Sequence, residues 1–247
     1  MELDSIQIVI AIIAAVLIGF AKAGFPSAGI FVIVLMASIF PTKESTGIVL
    51  PMLIAADIIA VIYYRKTVIW KYLISLIPWV LIGIVLGFFV LLYIQNDELS
   101  LLIGILILSL TILHLSKNKL EQKLNIHFMR SASFYALLGI LAGFTTMVGN
   151  AAGAIMAIYL FSKGSQKQDF IGTNAWFFLS VNLIKVPFSV GLGLITPQSL
   201  GFNAWMIPAI IVGAFLGIRL LPLIPQKYFQ LIILMFAALG GLRLIFL

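Results

Sequence analysis

Ten apolar runs fill most of the chain: residues 6–20, 27–40, 46–64, 72–94 and 99–115, then 132–146, 151–162, 170–190, 200–221 and 228–246. Only short stretches carrying charge, proline or glycine separate them. A straight membrane crossing takes about 20 residues, with about 17 tolerated, and in each half the last three runs are long enough. The first two are shorter and meet at a Gly/Pro-rich junction. Each such pair is therefore either two short crossings or a hairpin that enters and leaves by one face. Of 247 residues, 63% are hydrophobic and 9% charged, where a soluble domain keeps about a quarter charged. A chain like this cannot cover its own surface with polar groups. The lipid bilayer is its solvent, and the expected fold is an all-α polytopic membrane protein.

The net charge of +7 does not point to nucleic acid, because the basic residues lie in short loops rather than on one face. With no cysteine, disulfides and thiolate metal sites are excluded. His114 and His127 flank a central linker, no acidic or histidine cluster has ligand spacing, and no serine has an acid–base pair near it. The expectation is no metal, no cofactor and no enzymatic activity. The acidic start, Met1 to Asp4, argues against a cleaved signal peptide, which needs a basic leader.

The two halves align. Gly19-Phe20 followed by Ala28-Gly29 matches Gly143-Phe144 followed by Ala152-Gly153 at an offset of 124. Pro78, Gly83 and Gly87 match Pro208, Gly213 and Gly217 at an offset of 130. Two ordered sets with one spacing indicate duplication: a first repeat over residues 1–116, a cytoplasmic linker over 117–131, and a second repeat over 132–247. Loop charge sets the orientation. Arg65, Lys66, Lys71, Lys117, Lys119, Lys123, Arg130, Lys163, Lys167, Arg219 and Lys227 can all face the cytoplasm. Glu2, Asp4, Asp97 and Glu98 then fall outside, with Lys43 and Glu44, and both termini lie outside the cell membrane. Each half has an odd number of crossings on either reading of the short pairs, so the repeats are inverted. Inverted repeats with broken helices near the midplane are a transporter signature.

Three ionisable residues remain within apolar segments: Lys22, Asp57 and Lys185. An intramembrane charge costs at least a few kcal/mol and is a functional hypothesis by default. Lys22 stands in the first junction with Gly24 and Ser27. It is either a cytoplasmic anchor or a cavity residue beside a helix start that Pro26 opens and whose free N–H groups favour an anion. The second junction offers Thr145, Thr146 and Asn150 and no charge. Asp57 either pairs with a lysine or carries a coupling proton, and its counterpart at an offset of 125 is Asn182. Lys185, one turn further on, either faces inward or snorkels outward. Asn174 shares the face of Asn182, to bond either substrate or a neighbouring helix.

Gly19-Phe20-Ala21-Lys22-Ala23-Gly24-Phe25, Gly47-Ile48-Val49-Leu50-Pro51 and Gly143-Phe144-Thr145-Thr146 resemble the sulfite exporter TauE/SafE family of bacterial and archaeal permeases. So do Asn150-Ala151-Ala152-Gly153 and Gly172-Thr173-Asn174-Ala175-Trp176-Phe177-Phe178. Ser27-Ala28-Gly29 departs from the glycine triplet that many members carry. The resemblance implies export of a small anion containing oxidised sulfur, such as sulfite or an organosulfonate. The residues themselves speak only of charge: two buried lysines, paired helix starts and no acidic cluster for a cation. The expectation is a secondary transporter with Lys22, Gly24, Ser27, Asn150, Asn174 and Lys185 around the anion and Asp57 and Asn182 as ion pair or coupling site. A passive anion channel and a non-transporting assembly or sensor protein are the alternatives. Coupling to protons and homo-oligomer formation stay open.

Overall fold

The computed structural model describes residues 4–22, 28–123, 131–163, 165, 167–220, 235, 238–239 and 242–246. Nine helices of ten residues or more are found among these: α1 (Ser5–Lys22), α2 (Ala28–Ala37), α3 (Thr42–Tyr64), α4 (Trp70–Tyr93), α5 (Asn96–Lys123), α6 (Ala132–Gly149), α7 (Gly153–Ser162), α8 (Lys167–Gly191) and α9 (Pro197–Leu220). Residues 242–246 are also helical, and no strand occurs among the described residues. The fold is all-α, and five of the helices (α1, α3, α4, α6 and α9) are long and apolar enough to cross a membrane.

The short pairs differ from their apolar runs in one respect. Each begins with an 18-residue helix, α1 or α6, and continues with one of 10 residues, α2 or α7. The first is longer than its run because the helix does not stop where hydropathy breaks: Lys22 and the stretch to Gly149 remain helical. The second, at about 15 Å, cannot span a hydrocarbon core of about 30 Å. Similarly α5 continues through Lys123, into the stretch expected as linker.

Glycine decides how the long helices meet. A Cβ on Gly19 of α1 would sit 2.0 Å from the Ile210 carbonyl oxygen of α9, and one on Gly213 of α9 would sit 2.0 Å from that of Val16. Between α4 and α6 the same lock recurs. A Cβ on Gly83 would lie 2.1 Å from the Ile140 oxygen, and one on Gly143 2.0 Å from that of Val80. Only glycine lets these backbones approach so closely. The four residues are those matched by the offsets of 124 and 130.

Helices α3 and α8 cross at the centre and run antiparallel. Gly47, early in α3, is packed on Leu194 beyond the end of α8, while Gly172, early in α8, is packed on Thr67 beyond the end of α3. The Ile69 N–H donates to Thr173 Oγ1 at 2.9 Å. Outside, Ile62, Ile74, Phe89 and Trp205 are exposed, whereas Asp57, Asn182 and Lys185 are buried. A water-soluble protein reverses this arrangement; here the apolar exterior meets lipid.

The end of α7 is held by an aromatic cluster. The Lys163 ammonium stands 3.4 Å from the centroid of the Tyr135 ring of α6, with the rings of Tyr72 of α4 and Tyr159 further off. Burial, and secondarily Lys71, lowers the Lys163 pKa below the ordinary lysine value. Tyr159 donates to the Tyr72 carbonyl at 2.8 Å, so α7 is tied to both α4 and α6.

Candidate functional site

The α3–α8 crossing brings buried charge together. Asp57 of α3 is fully buried, and its Oδ1 lies 2.8 Å from Lys22 Nζ at the end of α1. The other oxygen, Oδ2, accepts from Asn182 Nδ2 at 2.7 Å. Asp57 and Asn182, expected from the sequence as counterparts at an offset of 125, thus bond to each other.

Lys22 also stands 3.9 Å from the centroid of the Phe178 ring, a cation–π contact. Asn174, Phe178 and Asn182 follow at four-residue intervals and share one face of α8. Asn182 turns its amide so that nitrogen meets the carboxylate and oxygen meets a cation, Lys185 Nζ at 3.5 Å. The opposite orientation would set like partial charges against each other at both ends.

Lys185 points inward and is 2% exposed, which excludes the outward reading. Its ammonium donates to Asn150 Oδ1 at 2.6 Å and to Thr146 Oγ1 at 3.3 Å. Asn150 occupies the C-cap of α6 in the left-handed conformation, φ 56°. Asparagine tolerates that region because its short polar side chain bonds locally. Its Nδ2 donates across to the Thr46 carbonyl of α3 at 3.0 Å. One side chain therefore joins the second junction, α3 and Lys185.

A cavity of about 40 Å³ lies between these groups. Lys22, Thr146, Asn150, Asn174 and Asn182 give it a polar side, and Ile18, Val32, Ile33, Leu53 and Phe178 an apolar one. Asn174 Oδ1 is buried with no hydrogen-bond partner among the described residues. Lys185 does not line the cavity; it stands directly behind Thr146, Asn150 and Asn182. At this volume the cavity admits a few waters, so a sulfur oxyanion requires its walls to part.

Of the sequence-derived site residues, Lys22, Asp57, Asn150, Asn174, Asn182 and Lys185 converge here. Gly24 and Ser27 lie outside the described residues, as does His127. Sequence reasoning gave Phe178 no role at the site, although it closes the Gly172–Phe178 motif and is spaced between Asn174 and Asn182. It also missed the Thr46 carbonyl, which no side-chain pattern announces. Among the described residues no group of His, Cys, Asp or Glu could hold a metal ion.

A family model for sulfite exporter TauE/SafE matches residues 10–244. The chain belongs to the TauE/SafE family. No curated protein and no solved structure matches. Membership makes this chain a multi-pass protein of a transporter family that handles sulfite or related anions.

Proposed function

We propose that this TauE/SafE protein is a secondary transporter that exports a small anion, a sulfur oxyanion or organosulfonate such as sulfite, across the cell membrane. The observation that carries the reading is the excess of positive charge at the crossing. With ordinary charges, Lys22, Lys185 and Asp57 leave one positive charge buried at an otherwise neutral, largely apolar cavity. An uncompensated charge there costs at least a few kcal/mol, and a bound anion removes that cost. Lys22 and Asn174 meet the anion first, Asn150 and Thr146 hold Lys185 behind them, and Asp57 keeps Lys22 in place until the anion draws it away.

The scaffold fits alternating access. The duplicated glycine crossings and the antiparallel α3–α8 pair support inverted repeats over residues 1–116 and 132–247, joined by a cytoplasmic linker. Both termini then face outward. Protonation of Asp57 is the point at which a proton gradient could couple.

The test is flux of labelled sulfite in proteoliposomes. Lys22→Ala and Lys185→Ala should each abolish it. Intact flux in both variants would falsify the site, and uncoupled conductance in a bilayer recording would identify a channel instead.

A further inference from the structure

In their ordinary charge states, the groups around the cavity do not cancel: two lysines stand against one carboxylate. Lys22 is matched by Asp57 at 2.8 Å. Among the described residues, Lys185 donates to neutral oxygens, those of Thr146, Asn150 and Asn182. Among the described residues, the charged groups acting on Asp57 are Lys22 from α1 and Lys185 from α8, and Asn182 adds a neutral hydrogen bond. With all three groups in their ordinary charge states, the cluster carries one net positive charge. Lys185 stands behind the cavity wall, but in a low-dielectric interior a charge is felt well beyond hydrogen-bond distance.

An anion of one charge cancels this excess. A dianion overshoots and leaves an equal excess of opposite sign, with the same kind of burial cost. We infer that Asp57 sets the valence of the transported anion: the site accepts a singly charged oxyanion and turns away a doubly charged one of similar size. The inference rests on the anion-transport reading above and deepens it. Asp57 has an amide, Asn182, as its counterpart, so Asp57→Asn changes the net charge with little change of shape and raises it from one to two.

Methanesulfonate and sulfate are suitable probes, because each keeps a fixed charge over the working pH range. Sulfite alone would blur the result, since it changes its own charge near neutrality. In proteoliposomes the unaltered protein should move methanesulfonate at least about tenfold faster than sulfate, a difference of only about 1.4 kcal/mol. Asp57→Asn should shift that ratio at least about tenfold towards sulfate. If Asp57→Asn fails to elute as a folded species or moves neither anion, thermal shift of the unaltered protein decides: methanesulfonate must stabilise it more than sulfate at equal concentration.

Equal movement of both anions by the unaltered protein would overturn the inference. So would an unchanged ratio in folded and active Asp57→Asn, or stronger stabilisation of the unaltered protein by sulfate than by methanesulfonate. Flux of sulfite with neither methanesulfonate nor sulfate leaves transport standing and overturns the valence rule. Silence towards all three anions overturns both.

Discussion

The two outer crossings of this molecule are alike, and its centre is not. Gly19 and Gly213 lock α1 to α9 as Gly143 and Gly83 lock α6 to α4, each with a carbonyl where a Cβ would stand. At the α3–α8 crossing the matched positions differ in charge: Asp57 faces Asn182, Lys22 corresponds to Thr146, and Lys185 corresponds to Ala60. Packing tolerates duplication because two copies of one backbone surface fit equally well. A buried charge does not, because two copies of the same carboxylate in contact would repel. The two glycine crossings are alike where only shape matters, and the centre differs where charge must be balanced.

The largest effect tests whether charge is matched on one side only. Lys22→Met removes the partner of a buried carboxylate and should cost about 3–5 kcal/mol. Lys185→Met loses hydrogen bonds to neutral oxygens, about 1–3 kcal/mol, but also removes an unmatched charge, so its net cost should be less than half as large. Equilibrium unfolding in mixed micelles gives both values. Equal losses would mean that Lys185 is paired as closely as Lys22.

Next come the crossings. Gly19→Ala and Gly143→Ala each force a methyl into a backbone carbonyl and should cost about 1–3 kcal/mol, by similar amounts. Gly201→Ala in α9 is the control, because nothing lies within 4 Å of its added Cβ; it should be neutral or slightly stabilising. A large difference between Gly19→Ala and Gly143→Ala would break the likeness of the two crossings.

Asn150 separates backbone from side chain. Asn150→Gly keeps the left-handed cap and loses two side-chain hydrogen bonds, at about 1 kcal/mol each. Asn150→Ala should cost about 1 kcal/mol more, from the strain of a left-handed alanine. Identical stabilities for the two variants would show that the cap conformation is not held in the folded state.

The order of the apolar runs and the three intramembrane charges were legible in the sequence, because each is a matter of composition and spacing. The direction of Lys185 was not. A lysine stem in an apolar helix reaches inward or outward equally well, and the choice here depends on Asn150, whose amide is aimed by a left-handed residue on another helix. Phe178 was hidden for a related reason: phenylalanine is ordinary in a membrane helix, and only the ammonium above its ring distinguishes it. Helices α1 and α6 extend beyond their apolar runs because loss of hydropathy is not loss of helix. Lys22 and Gly149 both continue the turn before them.

The smallest effect returns to the likeness of the halves, at their helix starts. Helix α1 opens with a reciprocal cap, in which the Gln7 N–H donates to Asp4 Oδ1 at 2.7 Å and the Asp4 N–H donates to Gln7 Oε1 at 3.1 Å. Helix α6 opens with Ser131, whose hydroxyl oxygen accepts from the Phe134 N–H at 3.1 Å. In each case one side chain satisfies an N–H that has no partner within its own helix. Ser131→Ala should cost about 1 kcal/mol. Asp4→Ala should cost about the same or less, because Asp4 is exposed and water replaces the lost acceptor. The same unfolding assay resolves the order. A loss at Asp4 clearly exceeding that at Ser131 would mean that the start of α1 is held by more than its cap, and the two halves would then differ in their helix starts as well as in their charges.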